Sequence, residues 1–252
     1  MIPLLDLLGP DLSTWVAQFI LTVARLSFVV ILIPGIGEQM IPAQVRVYLL
    51  LGLSAAISGM GITDYVLPDS LTDLGIVIVT ELLLGLFLGI GLRVVVWTLN
   101  IAGSVIAQSM GLAQPLGVAL ENEAQTATAN LLSMAGAAVL FSMNFHIEVI
   151  ASWIGLYETI PIGGSSWIAQ AFLFDSIYAA FAFAILLAWP FVAMNLLYNV
   201  CLGFINKAMP QMMVAFVGAP FLVGAGMFLL AVSIGAMLMV WQDQIAQLVV
   251  WL

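Results

Sequence analysis

Basic residues are almost missing from this sequence. In 252 residues there are four, Arg25, Arg46, Arg93 and Lys207, against thirteen Asp and Glu. Charged residues make up 7% of the chain, where an ordinary soluble domain carries roughly a quarter. So few charges cannot cover a water-soluble globule of this size, and the same scarcity leaves no basic patch for nucleic acid. Cysteine is equally scarce. Cys201 stands alone, which rules out an intrachain disulfide and a cysteine-based metal site. In its apolar stretch it reads as a small buried hydrophobe. The single histidine, His146, is followed by Glu148, but the Pro-Cys-x-x-Cys of a zinc deaminase and the second histidine of a zincin are both missing. One histidine at a segment end also serves a Ser–His–acid triad poorly. No metal, no cofactor and no catalytic residue is expected, and the chain is not expected to be an enzyme. The opening MIPLLDLLGPDLSTW lacks a basic n-region, so a cleavable secretory signal is not expected either.

What replaces charge is hydrophobicity, at 64% of residues. A bilayer core about 30 Å thick takes about 20 mostly apolar residues per helix. Reading between charges and Pro/Gly punctuation gives six such segments, at about 13–34, 45–66, 74–100, 125–150, 174–206 and 211–241. The runs are continuous and show no period-2 alternation, which excludes an outer-membrane barrel. The fold class is therefore all-α: a polytopic integral membrane protein of about six apolar helical segments, with kinks expected at Pro190 and Pro220. The longest connections, 104–124 and 151–173, are rich in Gly, Ser, Gln and Pro. An outside N-terminus puts Arg46, Arg93 and Lys207 on the inner side, as the positive-inside rule prefers, with both termini outside.

Arg25 lies midway along TWVAQFILTVARLSFVVILIPG. A central arginine costs about 2.5–3.5 kcal/mol on insertion scales, so it needs a carboxylate, carbonyls or a water-lined interior. Glu81, about two turns into the third segment, lies at a similar depth, so one reading is an intramembrane Arg25–Glu81 pair. The other reading has Arg25 snorkelling to an interface between subunits. In ELLLGLFLGIGLR, Gly85 and Gly89 make a smooth stripe for helix packing; with Gly91 they do not make a nucleotide fingerprint, which needs a third glycine and a preceding strand. Among thirteen methionines, Met209, Met212 and Met213 cluster near the last turn, with Met227, Met237 and Met239 along the final segment. By count such side chains read first as membrane filler, with a flexible pore seal as the second reading.

Four strings, ARLSFVVILIPGIGEQMIPAQVRVYLLLGLS, TELLLGLFLGIGLRVVV, IAQSMGLAQPLGVAL and LGFINKAMPQMMVAFVGAP, occur in an order that resembles the FliR family of type III secretion export proteins. The resemblance runs over nearly the whole chain and implies what composition does not. It implies a subunit of the flagellar protein export gate in the bacterial inner membrane, at the flagellar basal body. The implied partners are FliP-like and FliQ-like subunits, FlhB- and FlhA-like proteins, and exported unfolded flagellar proteins. It divides the single membrane-embedded unit 1–252 into a FliP-like part, about 1–170, and a FliQ-like helical hairpin, about 171–252. The hairpin turns on the cytoplasmic side at Lys207, Pro210 and Gln211. A pore-plugging loop maps to Gly111, Leu112, Ala113, Gln114, Pro115, Leu116 and Gly117. The family's Asp-Pro in that loop is replaced here by AQPLGVALENEAQ, and Met213 and Leu222 stand where the family has a polar residue and a lysine. A small-molecule secondary transporter, with Arg25, Glu81 and His146 as a relay, is the alternative function. Paired half-repeats, its usual sign, are not seen in the sequence.

Overall fold

The computed structural model describes residues 10–37, 41–60, 70–111, 118–164, 169–208 and 214–249. Every regular element among them is a helix: α1 Pro10–Leu32, α2 Ala43–Gly59, α3 Leu71–Ser109, α4 Val118–Ser142, α5 Phe145–Thr159, α6 Ala169–Ala208 and α7 Val214–Val249. A helix satisfies its own backbone polar groups, which is what a chain this apolar requires in lipid. Among the described residues, α1, α3, α6 and α7 each contain a stretch long and apolar enough to cross a membrane, and α4 with α5 forms a fifth if that bent pair is one span. This is a polytopic membrane protein.

The elements differ from the six expected segments in three ways. First, α2 has 17 residues, at the short end of the about 17–25 that a crossing takes. Second, the expected segment 125–150 is two helices meeting at 67°. The break falls at Asn144, whose φ of 57° is left-handed, a conformation that asparagine tolerates better than most residues. Third, α3, α6 and α7 outrun their expected ends, with 39, 40 and 36 residues. At about 1.5 Å per residue they measure about 58, 60 and 54 Å, nearly twice a hydrocarbon core of about 30 Å. Much of the expected 104–124 connection is thus helical, as α3 runs on to Ser109 and α4 begins at Val118; Gly111, just past the end of α3, has a left-handed φ of 65°. Likewise α5 takes up the start of the expected 151–173 connection. Helices α6 and α7 continue through Pro190 and Pro220.

The chain divides into two compact units. One takes its described residues from Met1–Val94 and Leu140–Ile177. In it, the neighbours of Gly85 and Gly89 on α1 rise in step, from Arg25 to Phe28 and Leu32, so α1 and the first part of α3 run parallel. Helix α2 packs on α1, where Ser58 Oγ donates to Thr22 Oγ1 at 3.4 Å. Helix α5 turns one stripe inward at four-residue spacing, Phe145, Val149, Trp153 and Tyr157, all buried.

The other unit comprises Val95–Val139 and Tyr178–Val249. The remainder of α3 is antiparallel to α4, since Gly103 faces Ala129 while Leu99 faces Gly136. It is also antiparallel to α7, with Met110 against Gly226 and Val95 and Thr98 against Trp241. Tyr198 meets Gly218, and Ala179, Ala180 and Phe183 line a small cleft with Trp241, Gln244 and Ile245, so α6 and α7 form an antiparallel pair. Buried Ala180, Ala184 and Ala188 recur every four residues and let the neighbouring helices come close. Trp241 is 1% exposed, and its Nε1–H donates to the Val95 carbonyl at 3.1 Å and to Thr98 Oγ1 at 3.0 Å. Outward-facing positions remain apolar, among them Trp189, Leu197 and Phe204 on α6 and Phe221, Phe228 and Val232 on α7. Such surfaces suit lipid or further apolar protein.

Candidate functional site: a buried ion pair under a glycine turn

Arg25 and Glu81 stand on the parallel faces of α1 and α3. The glycine stripe explains how they come within reach. A Cβ at Gly85 would collide with the Arg25 backbone carbonyl, and one at Gly89 would lie 2.9 Å from both the Phe28 carbonyl and Leu32 Cδ1. Only bare backbone at these positions lets the helices approach this closely. The carboxylate then meets the guanidinium in a two-pronged contact, Nε to Oε2 at 2.5 Å and Nη2 to Oε1 at 3.0 Å. Both side chains are 2% exposed.

A buried pair of this kind holds only if its remaining donors and acceptors are also met. The turn after α5 meets them with main-chain atoms. Arg25 Nη1–H donates to the Ile160 carbonyl at 3.0 Å, and Nη2–H to the Pro161 carbonyl at 3.4 Å. In return, the Gly163 N–H donates to Glu81 Oε1 at 2.9 Å. Hydrogen bonds to charged groups are worth about 1.5–3 kcal/mol each, so these three fasten the turn well. The geometry follows from the string Pro161-Ile162-Gly163-Gly164. Gly164 N–H closes back on the Pro161 carbonyl at 3.0 Å, and Gly163 has a φ of 78°, the positive value required at the third position of a type II turn. Beneath, the Tyr157 ring lies 4.3 Å from Arg25 Cζ, a cation–π contact with a buried aromatic.

The other expected site residues fall as follows. Gly111 lies just past the end of α3, while Leu112, Ala113, Gln114, Pro115, Leu116 and Gly117 lie outside the described residues, so the plug loop has no geometry here. Lys207 occupies the last turn of α6, where its charge suits the helix dipole; Pro210, Gln211, Met209, Met212 and Met213 lie outside the described residues. Of the other methionines, Met237 is buried, whereas Met227 and Met239 are exposed. His146, at the start of α5, packs on the Phe141 ring with centroids 5.6 Å apart. Cys201 corrects an expectation: it is exposed on α6, because the apolar run around it faces outward. Among the described residues there is no cluster of three metal-ligating side chains. Sequence reading missed the turn 160–163 altogether, although Pro-x-Gly-Gly is a turn signature.

Comparison with known proteins places this architecture. The family model described as bacterial export proteins, family 1, matches residues 16–248. The flagellar biosynthetic protein FliR of Caulobacter vibrioides is 31% identical over 234 residues, covering 90% of this chain and 92% of that protein. The FliR proteins of Escherichia coli and Aquifex aeolicus are 24% and 27% identical, over 86% and 80% of this chain and 84% and 79% of their own lengths. A membrane-embedded helical chain, matched nearly end to end, therefore belongs to family 1 of the bacterial export proteins.

Proposed function

We propose that the chain is a subunit of the flagellar type III export apparatus, forming part of the gate through which unfolded flagellar proteins leave the cytoplasm. The observation that carries this is the end-to-end likeness to flagellar biosynthetic proteins, on a chain whose longest helices present apolar side chains outward. The proposal places it in the bacterial inner membrane, at the flagellar basal body. Its partners there are FliP-like and FliQ-like subunits, FlhB- and FlhA-like proteins and the exported polypeptides themselves. Within it, residues from about 1 to 170 form the FliP-like part and about 171 to 252 the FliQ-like hairpin. The stretch Gly111–Gly117 plugs the pore, and Met209, Met212 and Met213 contribute to its seal. Arg25 and Glu81 act as a structural clasp rather than as a relay. The transporter alternative asks the pair to face a solute, whereas here guanidinium and carboxylate face each other and the turn.

Deleting the gene in its host tests the proposal. Secretion of hook and filament proteins and swimming should both stop, and a plasmid copy should restore them. Normal flagellar secretion in the deletion strain would refute it.

A further inference from the structure

The turn over the ion pair has two unlike sides. Pro161 and Gly163 are exposed, while Ile162, between them, is 9% exposed and points inward. Two carbonyls and one N–H of the same turn aim inward at Arg25 and Glu81. A single layer of chain therefore separates the charge pair from whatever adjoins this face. The bonds that hold the layer down come from its main chain, and water or another polypeptide backbone offers the same donors and acceptors. Against an apolar neighbour, lifting the turn strands three polar groups and uncovers two charges, so the turn stays shut. Against a wet neighbour the same groups find new partners and the turn is released cheaply.

We propose that residues 160–163 form a lid over the Arg25–Glu81 pair, closed at rest and lifted while exported polypeptide and its water pass. This rests on the export function proposed above. It treats Arg25 as a positioning residue: its planar fork spans the carboxylate and two carbonyls at once, which a lysine ammonium cannot do. Arg25→Lys thus keeps the ion pair and loosens the lid. Gly163→Ala loosens it from the other side, because an alanine resists a φ of 78°.

The test is thiol labelling in membranes that hold the whole export complex, in a Cys201→Ser background because Cys201 is itself exposed. Ile162→Cys reports on the buried face of the turn and Pro161→Cys on its outer face. Labelled with both a permeant and an impermeant maleimide, the Ile162→Cys thiol should react about tenfold more slowly than the Pro161→Cys thiol at rest. Adding Arg25→Lys or Gly163→Ala should raise its rate about tenfold, as should active export compared with arrested export, while the Pro161→Cys rate stays constant. Equal rates for the Ile162→Cys thiol at rest and during export would overturn the lid. Should Ile162→Cys not accumulate, hydrogen exchange at the Gly163 amide of the unaltered complex decides the matter. Slow exchange at rest that quickens in active export supports the lid, and unchanged exchange rejects it. Failure of the export proposal is seen separately, as normal secretion in the deletion strain.

Discussion

Glu81→Ala should be the most damaging single substitution in the unit that contains α1. It leaves the Arg25 guanidinium, 2% exposed, without its carboxylate. Removing one partner of a buried ion pair costs about 3–5 kcal/mol. The Gly163 N–H, which aims inward at the carboxylate, loses its acceptor in the same change. At roughly 2–4 °C per kcal/mol for a chain of this length, the Tm of the purified protein should fall by about 6–20 °C. Arg25→Ala should do the same from the other side. The double variant Arg25→Met with Glu81→Met removes both charges while filling similar volume, and should cost less than either single change. In a cycle built from Arg25→Met, Glu81→Met and their combination, the two positions should therefore couple by about 3 kcal/mol. Exchanging the charges, Arg25→Glu with Glu81→Arg, should recover less than half of the loss. Neutrality returns, but a carboxylate then meets the Ile160 and Pro161 carbonyls and a guanidinium meets the Gly163 N–H. The assay is thermal unfolding in detergent, followed by the fluorescence of the seven tryptophans. Single variants that each shift Tm by less than about 2 °C, or a double variant that simply adds them, would show that the pair carries no such weight.

The glycine contacts predict a ranked series in the same assay. Gly85→Ala should cost about 1–3 kcal/mol, because its Cβ meets rigid backbone, and Gly89→Ala less, because one of its neighbours is a leucine methyl. Gly52→Ala, with nothing within 4 Å, should be neutral or stabilising by up to about 1 kcal/mol through helix propensity; equal effects at all three positions would refute the packing account. Trp241→Phe should cost about 0.5–1.5 kcal/mol for the lost Nε1–H bonds, plus a smaller packing loss, read as a lower Tm, and an unchanged Tm would mean the bond between α7 and α3 is idle. Deleting Leu112–Ala119 should make cells leaky to ions while the complex still assembles, and an unchanged membrane conductance would remove the plug assignment.

The all-helical membrane fold was legible because hydrophobicity in this chain has almost no competitor: with four bases and thirteen acids in 252 residues, each apolar run had to be a helix. Helix ends were less legible. Glycine and polar residues marked 104–124 as a connection, yet α3 runs on to Ser109, since single glycines such as Gly103 serve close packing against Ala129 rather than a turn. Asn144 hid its break for the opposite reason, because one asparagine in an apolar run does not announce a left-handed backbone. The partnership of Arg25 and Glu81 was one of two readings that the cost of a lone charge in lipid allowed, the other being an arginine that snorkels to a subunit interface. Its third member was not legible, because the turn contributes carbonyls and an N–H, which are common to nearly every residue and leave no mark in a sequence.

A wall element of a shared protein gate should leave the membrane together with its neighbours. Purification of a tagged copy from its host membrane in mild detergent, followed by native mass measurement, tests this most directly. The expected result is a particle holding one copy of the chain together with two other small membrane proteins, and little free monomer. A stable particle of this chain alone, able to carry a small solute into vesicles, would contradict it.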